Sequence, residues 1–166
     1  MASRMSLFLE DYTPGFRFDL GAHTFTADAI KAFARAYDPQ PFHLDEVAAE
    51  KSAFEGLCAS GWHTAAVWMK LMVANELRLT QEITARGERP GRLGPSPGFR
   101  DMRFLEPVRP GDIIAYSACV LRTEDWPGRP EWGLLVMLNE GCNQHGKVVF
   151  SFEGRALVER RTSAAR

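Results

Sequence analysis

Between residues 16 and 25 the apolar side chains Phe16, Phe18 and Leu20 alternate with polar or small neighbours, the period of a strand with one buried face. The period then changes. Ile30, Phe33, Ala34 and Tyr37 recur at the spacing of one helix face, Thr26 stands where an N-cap belongs, and Pro39 disfavours helical geometry at Asp38. A helix ending at Asp38 is therefore predicted. Pro39 and Pro41 stiffen a short connection to His43, and Asp45 can cap a further helix running to about Ser52.

Ser60-Gly61 opens the next helix, whose stretch 65–74 is apolar on nearly every side with only Lys70 interrupting, the pattern of a helix buried all round. From Thr80 to Gly98 the chain turns rich in Gly, Pro and Arg, the composition of a surface loop. Strands are predicted over 99–105, 113–122, 132–143 and 147–158, separated by Pro110-Gly111-Asp112, Asp125-Trp126-Pro127-Gly128 and His145-Gly146. Strand, helices, then an antiparallel meander make an α+β plan in which one sheet wraps a buried helix. The run Leu134 to Leu138 is apolar on both faces, whereas an antiparallel sheet ordinarily wets one of them; a second subunit is expected to cover the outer face.

The composition sharpens this picture. With 166 residues, 45% hydrophobic and 25% charged, the chain is sized for a single domain spanning 1–166, apolar enough to fold and too polar for a bilayer. Twenty basic against twenty-one acidic side chains leave a charge of −1, which removes the broad attraction that nucleic-acid and anionic-membrane binders rely on. Cys58, Cys119 and Cys142 are odd in number and widely spaced, and no apolar run has the length of a signal or a span, so reduced thiols and a cytoplasmic location are expected.

Candidate chemistry gathers in 33–45 and again in Ala59-Ser60-Gly61-Trp62-His63. Asp38 and His43 pair a carboxylate with an imidazole across a stretch whose two prolines restrict it before folding, which suits a pre-positioned acid and base. The helix opening at Gly61 offers unpaired backbone donors to a developing oxyanion, and a glycine there lets a substrate approach closely. Each residue alone has a plainer reading: Asp38 as a helix end, His43 as a satisfied core histidine, Ser60 and Asp45 as N-caps, Trp62 as core or pocket wall. His43, Cys58 and His63 raise the question of zinc, but no paired-ligand spacing accompanies them and no metal is expected.

In these segments the sequence resembles the MaoC-like hydratase/dehydratase family of hot-dog folds. Its signature sets an Asp, four residues, then a His, with prolines between and another Asp two residues after the His, positions held here by Asp38, His43 and Asp45. Gly61 matches the glycine opening the family's central helix, the segment from Arg103 to Asp112 resembles its second recurring block, and Asn143-Gln144-His145-Gly146 is similar to a recurring turn. Tyr37 replaces the usual Gly and Gln40-Pro41 the usual Asn-Pro, departures that bear on substrate shape more than on reaction type.

The resemblance implies a single hot-dog domain, with an antiparallel sheet of about five strands around a long central helix. It also implies hydration or dehydration, (R)-specific, of an enoyl or hydroxyacyl thioester such as a coenzyme A ester, within fatty acid metabolism. Asp38 and His43 would be the dyad that holds the water, Gly61 with Ser60 and Trp62 would bind the thioester oxygen and substrate, and Asp45 would orient the pair from behind as well as capping its helix. No cofactor is implied beyond the coenzyme A of the acyl-CoA substrate. The expected partners exclude nucleic acid and membrane and include a second copy of the chain, as a homodimer or higher assembly with the site between subunits. The arginines of 86–103 are either a solvated loop or a contact for coenzyme A phosphates. A hot-dog acyl-CoA thioesterase is one rival, although it has no need of the Asp38–His43 spacing. A non-catalytic acyl-CoA-binding subunit is the other, and the intact pair argues against it.

Overall fold

The computed structural model describes residues 8–161. Strand β1 (Arg17–Thr24) turns Phe18 and Leu20 inward, as the alternation predicts. Helix α1 (Ala27–Tyr37) begins at Thr26, whose hydroxyl accepts from the Ala29 N–H at 3.2 Å, and it buries Ile30 and Ala34. Tyr37 does not share that buried face: it is 76% exposed, because the last turn of α1 ends beside Asp38 at the mouth of a pocket. Phe33, on the same predicted face, stacks on His63 with ring centres 4.6 Å apart.

The stiffened connection contains a single turn of helix, α2 (Pro41–Leu44), with proline at its first position, where a missing N–H costs nothing. Asp45 caps α3 (Glu46–Glu50) by accepting from the Ala48 N–H at 2.8 Å. The central helix α4 (Gly61–Ala85) then runs for 25 residues, about 37 Å at the standard rise. It extends well past the predicted loop boundary at Thr80, because Leu79 and Ile83 carry the inward spacing on for another turn. Nor is it buried all round: Val67, Leu79 and Ile83 face the core while Met69, Val73 and Leu77 lie exposed on the opposite side.

Strands β2 (Gly98–Phe104), β3 (Ile113–Asp125), β4 (Trp132–Cys142) and β5 (Val148–Glu159) complete a five-stranded sheet in the order β1-β3-β4-β5-β2. Every pairing is antiparallel, with β1 and β2 as the two edges. One face wraps α4 in the main core, where Ile114, Tyr116, Leu135, Phe150 and Phe152 pack with Val67 and Ile83. The Tyr116 hydroxyl donates to the Thr64 carbonyl at 3.0 Å, tying helix to sheet. This hot-dog arrangement is the expected one.

The outer face of β4 departs from expectation. Leu134 and Val136 are fully buried within one chain, in a small second cluster with Leu157 that Trp126 and Trp132 cover. Those tryptophans come from the β3–β4 turn and the start of β4, so no second subunit is needed there. The arginine-rich loop is also occupied: Arg89 and Arg92 hold the Glu159 carboxylate at 3.0 and 3.3 Å, with Arg89 foremost in pulling its pKa down to about 2. Gly94 donates to the Leu157 carbonyl at 2.8 Å, fastening the same loop along β5. Among the described residues no helix is long and apolar enough to cross a membrane.

Candidate active site

Asp38 follows the last turn of α1 and His43 lies in α2, and the Pro39–Pro41 connection folds them onto one another: Asp38 Oδ2 lies 3.4 Å from His43 Nε2. Both side chains are largely withdrawn from solvent, at 17% and 6% exposure. His43 Nδ1 stands 2.7 Å from the Cys58 carbonyl oxygen, which can only accept, so Nδ1 carries a proton there and Nε2 is the ring nitrogen turned toward Asp38.

Asp38 is just as firmly held. Gln40 Nε2 donates to its Oδ1 at 2.8 Å, and the Ser60 hydroxyl bonds to it from the N-terminus of α4. Burial pushes the Asp38 carboxyl up, but the bonds from Ser60 and Gln40 and the nearby His43 ring outweigh it and leave the group below the ordinary carboxylate range. The result is a carboxylate and an imidazole nitrogen held side by side, both on the wall of one pocket.

The pair opens into a pocket of about 370 Å³ whose walls include Phe42, Phe54, Trp62, Phe104 and Val108. Ser60 and Gly61 both line it, and their hydrogen-bonding roles divide. The Trp62 N–H is taken by Ser60 Oγ at 3.2 Å, which leaves the Gly61 N–H as the first-turn donor. What approaches the bare Cα of Gly61 is a protein group, not an open channel: a Cβ at that position would stand 2.7 Å from the Phe104 ring. The Trp62 indole packs against Phe104 with ring centres 6.0 Å apart. Asp45 is not among the residues lining the pocket, and its carboxylate caps α3; among the described residues no side-chain hydrogen bond joins it to Asp38 or His43.

Several contributors carry no signal in a single sequence. The Cys58 carbonyl that receives the His43 Nδ1–H is a backbone atom. Arg109 fixes the segment bearing it, donating from Nη1 to the Gly56 carbonyl at 2.6 Å and from Nη2 to the Phe54 carbonyl. Asp112 accepts from the Arg109 N–H at 2.7 Å and from Gln144 Nε2 at 2.8 Å, so the second recurring block and the Asn143–Gly146 turn brace one another behind the site. The three candidate zinc ligands do not converge. Cys58 Sγ lies 3.7 Å from His43 Nδ1, but the His63 ring is held between Phe33 and Phe25, and among the described residues no three His, Cys, Asp or Glu side chains form a metal-sized cluster.

The sheet wraps one long helix, and a carboxylate and an imidazole meet at that helix's N-terminal end. The chain belongs to the MaoC-like domain family, whose model matches residues 13–131. It is similar to the uncharacterized protein YdeM of Bacillus subtilis, 33% identical over 152 residues that cover 92% of this chain and 99% of the relative. Among solved structures it is similar to a MaoC-like dehydratase from Rhodospirillum rubrum, 39% identical with a TM-score of 0.79, covering 95% of this chain and 99% of that one. A protein from Archaeoglobus described as a monoamine oxidase regulatory protein is 26% identical with a TM-score of 0.75, covering 96% and 99% of the two chains.

Proposed function

We propose that this protein adds water to, or removes it from, the carbon–carbon double bond conjugated to an acyl thioester, the acyl group being carried on coenzyme A. The observation that carries this reading is the Asp38–His43 pair, 3.4 Å apart, with His43 Nε2 turned toward the carboxylate by the Nδ1–H bond to Cys58. In hydration, a water bound to both groups forms a bond from its oxygen to the β-carbon while one of its protons passes to the pair. The π electrons move onto the thioester oxygen, where the Gly61 N–H and the helix terminus behind it stabilise the charge. Collapse of that enolate returns a proton from the pair to the α-carbon, and dehydration runs the same steps backwards. No step calls for a metal or a redox cofactor.

The test is to mix the protein with crotonyl-CoA and follow enoyl absorbance and free thiol together. Loss of absorbance without thiol release supports the reading. Thiol release identifies a thioesterase, and binding with no change in either signal identifies a non-catalytic subunit.

We propose also that the working form is a homodimer, and that the apolar groups it buries are not those of β4. Trp62, Met69, Val73 and Leu77 stand exposed along α4, and Phe99 and Phe104 stand exposed on the edge strand β2. A second copy covering this surface would lie over the mouth of the dyad pocket. Light scattering that finds a monomer at micromolar concentration overturns this.

A further inference from the structure

Between α3 and the central helix the chain makes a turn that suits glycine better than the glutamate it holds. Glu55 has φ +54°, in the left-handed region that Gly, Asn and Asp enter at low cost, and Gly56 follows at φ +147°. The N–H groups of this turn are met from the end of α3: Phe54 donates to Ser52 Oγ at 3.1 Å, Glu55 to the Ser52 carbonyl at 3.1 Å and Gly56 to the Ala49 carbonyl at 3.0 Å. The carbonyls are met from elsewhere, by one side chain. Arg109 Nη1 donates to Gly56 at 2.6 Å and reaches Leu57 at 3.4 Å, while Nη2 donates to Phe54. The Glu55 side chain is exposed and takes part in none of these bonds. A Cβ at Gly56 would stand 3.2 Å from Arg109 Nη1, so bare backbone there gives the guanidinium its seat.

A residue other than glycine stays in the left-handed region only where its surroundings over-determine it, and such positions gather beside working sites. This turn leads directly into the dyad. Phe54 lines the dyad pocket with its ring 5.0 Å from Phe42 and 6.3 Å from His43. Two residues past Gly56, the Cys58 carbonyl receives the His43 Nδ1–H at 2.7 Å. The Ala59 N–H then donates to the Val108 carbonyl at 2.8 Å, so the segment is laced along the strand of chain that carries Arg109. Gathering three carbonyls needs a rigid fork of donors, which a guanidinium has and a compact ammonium lacks. Arg109 is not among the residues lining the pocket, so it acts on the dyad through the turn.

We propose that Arg109 is a positioning residue for hydration: by holding the left-handed turn at Glu55 it keeps the Cys58 carbonyl on His43 Nδ1 and so keeps Nε2 turned toward Asp38. Its kinetic consequence rests on the hydration reading, whereas its effect on the His43 ring does not.

The test compares Arg109→Ala with the native chain in two measurements. In crotonyl-CoA hydration, kcat should fall about tenfold or more while KM stays within about twofold, the signature of a misplaced group rather than a lost contact. Guanidinium chloride, far below denaturing concentrations, should restore much of that loss by reoccupying the three carbonyls, where equal urea or sodium chloride should not. In NMR of the imidazole groups, assigned by its absence in His43→Ala, the His43 Nδ1–H should give a downfield, slowly exchanging signal in the native chain that is lost in Arg109→Ala. Glu55→Gly offers the same relief as the clamp: alone it should leave kcat unchanged, and combined with Arg109→Ala it should recover part of the lost rate. Native kcat or an unchanged His43 signal in Arg109→Ala overturns the proposal, as does a loss confined to KM or one that guanidinium restores no better than urea. Should Arg109→Ala fail to fold, Arg109→Lys takes its place, with a weakened His43 signal expected and an unchanged one overturning the role. Failure of the native chain to hydrate crotonyl-CoA overturns the catalytic reading, and the His43 signal then decides the role of Arg109 alone.

Discussion

Around Asp38 the reacting side chains are held by hydrogen bonds: the carboxylate takes bonds from Gln40 and Ser60, and the His43 Nδ1–H donates to the Cys58 carbonyl. Across Trp62, around a second hollow of about 450 Å³ between α4 and the sheet, Trp68, Glu76, Asn139 and Arg155 each hold a polar atom with no partner. The first region is organised before anything binds, which is what proton transfer requires, because reorganisation during the reaction would add to its barrier. The second is lined mostly by apolar side chains, and these polar atoms lie withdrawn behind that lining.

The largest effect should come from breaking the organised side. Asp38→Asn and His43→Ala should each lower hydration of crotonyl-CoA by ~10²–10⁴-fold, the contribution of a positioned acid or base, with the folded state preserved. The double variant should be little worse than the worse single one, since members of one catalytic unit are not additive. Retention of more than roughly a tenth of the rate by either single variant, against that expected range, would falsify the dyad.

Next in size are two opposed pH dependences of stability, one from each region's neighbourhood. Burial lowers the His63 pKa from 6.5 to about 4, so the unfolded chain binds the extra proton first and stability is lost as pH falls from 6.5 toward 4. Burial raises the Glu76 carboxyl from 4.5 to about 7, so the folded chain keeps the proton longer and stability is lost as pH rises from 4.5 toward 7. Each shift corresponds to about 3 kcal/mol at its limit, and in the native chain the two slopes oppose one another. Denaturant titrations across this window should show stability falling with pH in His63→Phe, which keeps the stacking on Phe33, and rising with pH in Glu76→Leu. Unchanged profiles in both variants would remove these groups as the cause.

A smaller effect sharpens the boundary between the two hollows. Gly61→Ala places a methyl against the Phe104 ring and should cost about 1–3 kcal/mol of stability, the usual range for overpacking. Adding Phe104→Leu should recover much of it, and a double variant no more stable than the single one would show the strain lies elsewhere. The smallest effect is expected at Arg109→Lys, which keeps the charge but loses the fork that gathers the Phe54 and Gly56 carbonyls. Activity should fall, by less than the ~10²-fold that a misplacement of 1 Å can cost, with kcat affected more than KM.

Much of the fold was legible along the chain because periodicity reports burial directly. The β1 alternation and the Thr26 and Asp45 caps follow from local spacing and local hydrogen bonding, whereas the place of β2 beside β5 rather than β3 departs from the expected meander. Asp38 and His43 were legible together for a similar reason: two prolines within five residues leave the chain few ways to separate them. Tyr37, at the same helical spacing as Ile30, was misleading, since spacing tells which face a residue shares but not where the neighbouring element ends. The outer face of β4 misled in the opposite sense, because the tryptophans that cover it belong to a turn whose path the local pattern does not encode.

By itself, then, the sequence determined where most helices and strands fall, and that a carboxylate and an imidazole sit close together in the chain at adjoining helix ends. These are consequences of interactions between residues a few positions apart. Only the tertiary structure decided that a backbone carbonyl holds His43 Nδ1, that Phe104 and not open space meets Gly61, and that Glu76 and Asn139 line one hollow. Those contacts join residues 15, 43 and 63 positions apart, as between His43 and Cys58, Gly61 and Phe104, and Glu76 and Asn139. Pairings at such separations exist only once the sheet has closed around the helix, and no local propensity distinguishes them beforehand.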